Sequence, residues 1–144
     1  MRLTSSAFEH EGLIPRRYTC AGEGVSPPLS IHDLPAGAIS LGRLMDDPDA
    51  PAGRWDHWLA YDILPAAEIP EAVASLGTSG VNSWGRTGYG SLCPPSGTHR
   101  YYVHVHALDI HLGLRAGASR AAVEAAMSGH VLAEASLMGR FSRP

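Results

Sequence analysis

The sequence predicts a mostly β protein with one or two helices late in the chain. Three observations carry this. Eleven Pro and 16 Gly punctuate the 144 residues every few positions. Between them lie short runs of β-branched and aromatic residues, some alternating at period two. One stretch alone, beyond residue 118, has a persuasive helix composition.

Ile39 to Met45 is the first clear strand run, interrupted by Gly42 and Arg43. The acidic segment Asp46-Asp47-Pro48-Asp49-Ala50-Pro51 follows it directly, so it is expected at a sheet edge. Asp56 to Ile63 alternates, with His57, Leu59, Tyr61 and Ile63 on one predicted face. Leu64 to Asn82 reads as loop, broken by Pro65, Pro70, Gly77 and Gly80. Arg100 to Ile110 alternates again: Tyr101, Val103, Val105 and Ala107 against Tyr102, His104, His106 and Leu108. Ser119 is the expected N-cap of a helix over Arg120 to Met127, and Gly129 is placed to end it. The tail His130 to Phe141 fits either a second helix or a strand.

The length suits one domain, 1–144, and suffices to bury a core of its own. Hydrophobic residues at 44% and charged residues at 17% exclude an extended disordered chain. No run approaches the roughly 20 apolar residues of a membrane span, and the start lacks an apolar leader core. A soluble, cytoplasmic protein is expected. Net charge is −3, every basic residue is Arg, and these are scattered, which gives no nucleic-acid footprint. A single Asn and no Gln fit either selection against thermolabile amides or codon bias.

Four polar clusters bear on chemistry. The acidic segment has two prolines that fix its backbone; read alone, it is most simply a solvated turn. His57 lies between Trp55 and Trp58, where partial burial is expected. Cys93-Pro94-Pro95-Ser96-Gly97-Thr98-His99-Arg100 is a stiff approach to a strand, a setting in which sites are often built. His104 and His106 form an HxH pair that suits zinc, but no third ligand can be chosen, so no metal and no cofactor are predicted. Standard hydrolase, nucleotide and metalloprotease signatures do not occur. A hydrolase using Asp47, His57, His99 or Cys93 is the remaining catalytic reading, with Cys93–His99 as its nucleophile pair.

Together these segments resemble the phosphatidylethanolamine-binding protein family, in its bacterial Raf-kinase-inhibitor-like branch. The resemblance rests on Asp47-Pro48-Asp49-Ala50-Pro51, on Asp56-His57-Trp58, and on Gly88-Tyr89 followed by Cys93-Pro94-Pro95 and Gly97-Thr98-His99-Arg100-Tyr101. Ser26-Pro27-Pro28-Leu29, Ala107-Leu108-Asp109, Gly129 to Ala133 and Gly139-Arg140-Phe141 extend it over about residues 8–143. Ser91-Leu92 depart from the Gly-Pro often found in bacterial members, and the extra C-terminal helix of eukaryotic members has no counterpart.

The resemblance implies an antiparallel β-sandwich with a small surface cavity for anions, and it favours a strand for the tail. By matched position the cavity residues are Asp47, Pro48, Asp49, Pro51, His57, Cys93, Pro94, His99 and Tyr101. The implied function is non-enzymatic binding of phosphate, phosphorylethanolamine-like or carboxylate groups. The alternative is an inhibitor that modulates a kinase or protease partner. A homodimer and a cis Ala50–Pro51 peptide are further implications. Physical reasoning agrees with an anion site: His57 and His99 supply ring N–H donors. Asp47 and Asp49 are expected to orient both rings and to raise their pKa values. Cys20 and Cys93 are expected to be reduced and unpaired, with Cys93 at the rim; a disulfide or a metal site is the alternative reading.

Overall fold

The computed structural model describes residues 1–143. Its strands form two antiparallel sheets. The smaller holds β1 (Arg2–Thr4), β2 (Leu29–His32) and β5 (Glu68–Ile69), in the order β1-β2-β5. The larger holds β3 (Ser40–Asp47), β4 (Trp55–Ile63), β6 (Thr78–Ser79), β7 (Thr98–Leu108) and β8 (Val131–Ser142), in the order β6-β4-β3-β7-β8. One helix, α1 (Arg120–Met127), separates β7 from β8, and a short 3-10 turn covers Arg16–Tyr18.

β3, β4 and β7 form where the predicted strand runs lie, whereas β1 and β2 fall in segments given no strand from the sequence. The tail is a strand because it pairs with β7 from Thr98↔Ser142 to Leu108↔Val131. Helix α1 is bounded as the sequence predicts. The Ser119 hydroxyl accepts from Ala122 N–H, and Gly129 takes φ +82°, which a residue with a side chain rarely adopts. The segment read as loop contributes two two-residue strands, β5 and β6.

The main core lies between the sheets. Leu3, Leu29, Ile31 and Ile69 of the small sheet face Leu41, Met45, Trp58, Val103 and Leu137 of the large one. A second cluster on the back of the large sheet joins Leu44, Leu59, Tyr61 and Leu108 to Val123 and Met127 of α1. β3 is therefore the middle strand of five, covered on both faces, and all eight of its residues are buried. Among them is Arg43, wholly buried in the main core. Its guanidinium lies 4.9 Å from the Trp58 ring centre, and Nη2 reaches the Pro27 carbonyl at 3.4 Å, while Nε and Nη1 have no partner.

Two β-bulges interrupt the β3–β4 ladder. Met45 pairs with Trp58 and Asp46 with Asp56, which leaves His57 without a partner. Leu41 pairs with Ile63 and Arg43 with Ala60, so an extra residue sits near Asp62, which adopts φ +53°. The predicted single face His57-Leu59-Tyr61-Ile63 is therefore split. Ile63 faces the inter-sheet core, whereas Leu59 and Tyr61 pack on the back against α1. A strict alternation cannot survive the insertion of one residue.

Candidate functional site

The acidic segment caps the end of the central strand and lies at no sheet edge. Consecutive residues there serve opposite faces. Asp46 points to the back, where Arg120 bonds it at 2.8 Å. Asp47 points to the front, where its Oδ2 accepts the His99 Nδ1–H at 2.6 Å and its Oδ1 accepts the Asp49 N–H at 2.8 Å. Both carboxylates are buried at the end of β3, whereas the turn that follows, residues 48–53, is exposed or half-exposed.

His57 reaches the same front face because the bulge turns it there beside Trp58. Its Nδ1–H donates to the Gly90 carbonyl at 2.8 Å. A carbonyl can only accept, so Nδ1 carries the proton and Nε2 is the free nitrogen of the neutral ring. The His99 ring is fixed the same way by Asp47. Tyr101 lies against both imidazoles, edge-on to His57 at 5.5 Å and stacked beside His99 at 6.4 Å. Its hydroxyl is buried with no hydrogen-bond partner. Burial pushes the Tyr101 phenol far up, so it stays an O–H donor at all ordinary pH.

The electrostatics depart from expectation at two residues. Burial of His57 outweighs the Gly90 bond and the pull of Asp47, and its pKa falls below the ordinary histidine value. Asp49 orients no imidazole. It accepts from Arg100 through backbone N–H, Nε and Nη2 at 2.9, 2.9 and 2.8 Å, and these bonds hold its carboxyl down at about 2.

Two further expectations are overturned. No cis peptide occurs among the described residues, Ala50–Pro51 included. The Gly53 N–H closes a turn onto the Ala50 carbonyl at 2.9 Å, and a trans Pro51 suits its second position. Cys20 and Cys93 are joined by a disulfide. The Cys20 N–H bonds the Leu92 carbonyl at 3.0 Å and brings the Cα atoms to 5.3 Å, inside bridging range. Cys93 is therefore no free nucleophile, and the Cys93–His99 pair does not exist.

Next to the imidazoles runs a groove of about 530 Å³, lined by Asn82, Trp84, Arg86, Thr87, Tyr89, Gly90, Ser91 and Cys93. Gly90 belongs to both groove and site. A Cβ there would come within 1.9 Å of the Trp84 ring, so only glycine lets the indole lie over this position. Trp84 in turn meets His57 edge-on at 5.0 Å and Trp55 at 5.3 Å. The chain's single Asn shapes this loop, its Oδ1 accepting from the N–H of Trp84 and of Arg86. Sequence reading missed Trp84 and Gly90; the buried Asn82 before an aromatic in a glycine-rich stretch was the available signal.

Of the residues expected at the site, Asp47, His57, His99 and Tyr101 come together. Asp49 flanks them through Arg100, and Cys93 lies in the groove wall. Pro94 is buried behind the loop, whereas Pro48 and Pro51 are exposed in the turn. His104 and His106 point to the back of the sheet, bonding Ser136 and Glu134, and no cluster among the described residues is arranged for a metal.

The phosphatidylethanolamine-binding protein family model matches residues 4–142. The chain belongs to this family. A UPF0098 protein of Methanothermobacter thermautotrophicus is 46% identical, with 99% of each chain covered. One from Chlamydia muridarum is 41% identical, also with 99% of each covered. Among solved structures, the phosphatidylethanolamine-binding protein homologue CT736 of Chlamydia trachomatis superposes with a TM-score of 0.96 at 39% identity, covering 99% of this chain and 97% of that one. YbcL of E. coli, a member of the mammalian PEBP family, gives 0.90 at 25% identity, covering 99% of this chain and 98% of that one. The sandwich is thus the family's fold. No helix among the described residues is long and apolar enough to cross a membrane.

Proposed function

We propose that this protein binds small anions, phosphate or a phosphorylated head group, at the His57–His99–Tyr101 cluster, and that it does so without catalysis. The observation that carries the reading is the Tyr101 hydroxyl, buried and unpartnered between two imidazoles whose Nδ1 atoms are already committed. A buried O–H without an acceptor is costly, about 1–3 kcal/mol, and an anion oxygen removes that cost. In the imidazolium form, the Nε2 atoms of His57 and His99 add two donors. The groove beside Gly90 leaves room for the rest of a ligand. Binding is favoured over hydrolysis because Cys93 is held in a disulfide, which leaves no thiol nucleophile beside the imidazoles. That disulfide favours an oxidising compartment, or a hyperthermophile cytosol, over the reducing cytoplasm expected from the sequence.

The test is calorimetric titration with phosphate and phosphorylethanolamine. His99→Ala should weaken both by about tenfold or more, since a hydrogen bond to a charged group contributes about 1.5–3 kcal/mol. His104→Ala, on the back of the sheet, should leave affinity unchanged. Equal affinity of wild type and His99→Ala would reject the assignment.

A further inference from the structure

We propose that Arg120, on helix α1, is a positioning residue for the anion site on the opposite face of the sheet. The proposal rests on the binding role assigned above to His57. Asp46 and Asp56 stand directly opposite one another on the back of the β3–β4 ladder. Asp46 is buried and Asp56 half-buried, and like charges facing across one rung destabilise a sheet. Arg120 Nη1 reaches both carboxylates at 2.8 Å, and its Nε bonds Glu124 at 2.7 Å. His104 lies 3.4 Å from Asp46, and the half-exposed Arg54 lies 3.2 Å from Asp56; Arg120 alone bridges the two.

The rung it closes is the one next to the bulge. With Asp46 held against Asp56, the step from Met45↔Trp58 must leave one residue over, and that residue is His57. Without the bridging charge the carboxylates separate and the local register loosens. A one-residue slip turns a side chain to the other face, so His57 would leave Gly90 and Tyr101. α1 is thereby coupled to a site it does not touch.

The experiment compares Arg120→Gln, Arg120→Lys and Ser119→Ala with wild type. Its two readouts are phosphate affinity and, without ligand, the ring nitrogen shifts of His57. In Arg120→Gln, phosphate affinity should fall about tenfold, the effect of losing one charged contact, and the Nδ1-protonated pattern of His57 should disappear. Arg120→Lys should restore most of both. Ser119→Ala removes the helix cap without touching the carboxylates, so it should lower the melting temperature and leave both readouts unchanged. If Arg120→Gln does not fold, Asp46→Asn/Arg120→Gln relieves the repulsion and should fold with the wild-type His57 pattern. The proposal is overturned if His57 is undisturbed in folded Arg120→Gln, disturbed in the folded double variant, or disturbed equally by Ser119→Ala. Should wild type bind no phosphate, the anion role falls, while the ring shifts still decide the positioning role.

Discussion

Arg43→Met should make the protein more stable. Arg43 is a buried charge with no carboxylate beside it, only the Trp58 face and one long contact to a carbonyl. Desolvation lowers its pKa from 12.5 to about 10. At about 1.4 kcal/mol per pH unit, the charged form costs the fold about 3 kcal/mol. Methionine keeps an unbranched apolar stem, but it forfeits a cation–π contact of about 0.5–2 kcal/mol. The net gain is about 1–2 kcal/mol, or about 3–8 °C in Tm at this size. Differential scanning calorimetry near pH 7 measures it. Arg43→Ala leaves a void and should lie about 2–5 kcal/mol below Arg43→Met. A folded Arg43→Met that melts at or below wild type would refute the reasoning and mean that the guanidinium is satisfied where it lies.

Because burial keeps the His57 ring neutral and an anion favours the imidazolium, binding should take up a proton and strengthen as pH falls from 8 toward about 6.5, the unperturbed histidine value. Titration with sulfate, which does not itself ionise in this range, should show a binding enthalpy that varies with the ionisation enthalpy of the buffer; no variation removes His57 as a donor. With a folded pKa below the unfolded one, the same ring should cost stability as pH drops below about 6.5. Cys20→Ser/Cys93→Ser opens a link spanning 73 positions and should lose about 4 kcal/mol in urea unfolding on the chain-entropy account, with the loss in the midpoint. Gly90→Ala pushes Trp84 off its position, so its fluorescence should shift and anion affinity should drop with the helix and sheets intact by circular dichroism; an unaltered spectrum would show that the indole is not seated there.

β3, β4, β7 and the helix were legible because hydrophobic pattern and capping are local, and β7 kept its alternation throughout; the short strands β1, β2, β5 and β6 were not. The Asp47–His99 bond was legible only through the family resemblance, since 52 positions separate the two residues. What stayed hidden depends on one strand meeting another. The bulges that bring His57 forward and send Leu59 and Tyr61 back arise from register with β3, which no single strand encodes. The disulfide was hidden for the same reason: only the pairing of Thr19 with Leu92 makes Cys20 and Cys93 neighbours. Burial of Asp46 and Asp47 was missed because a run of Asp and Pro looks like surface until its first residues end a middle strand.

Chain order gives the middle strand its second neighbour late. β4 follows β3 within a few residues, but β7 begins at Thr98, about fifty positions on. During synthesis, β3 therefore passes through an interval with one edge of N–H and C=O groups bare, and its stretch from Leu41 to Met45 is apolar but for Arg43. Such an edge invites other chains. A charge inside the run is the usual deterrent, and Arg43 sits at its centre. A charge that costs the finished fold is thus placed where it interrupts an apolar edge in the unfinished one, and a more stable Arg43→Met should trade native stability against soluble yield.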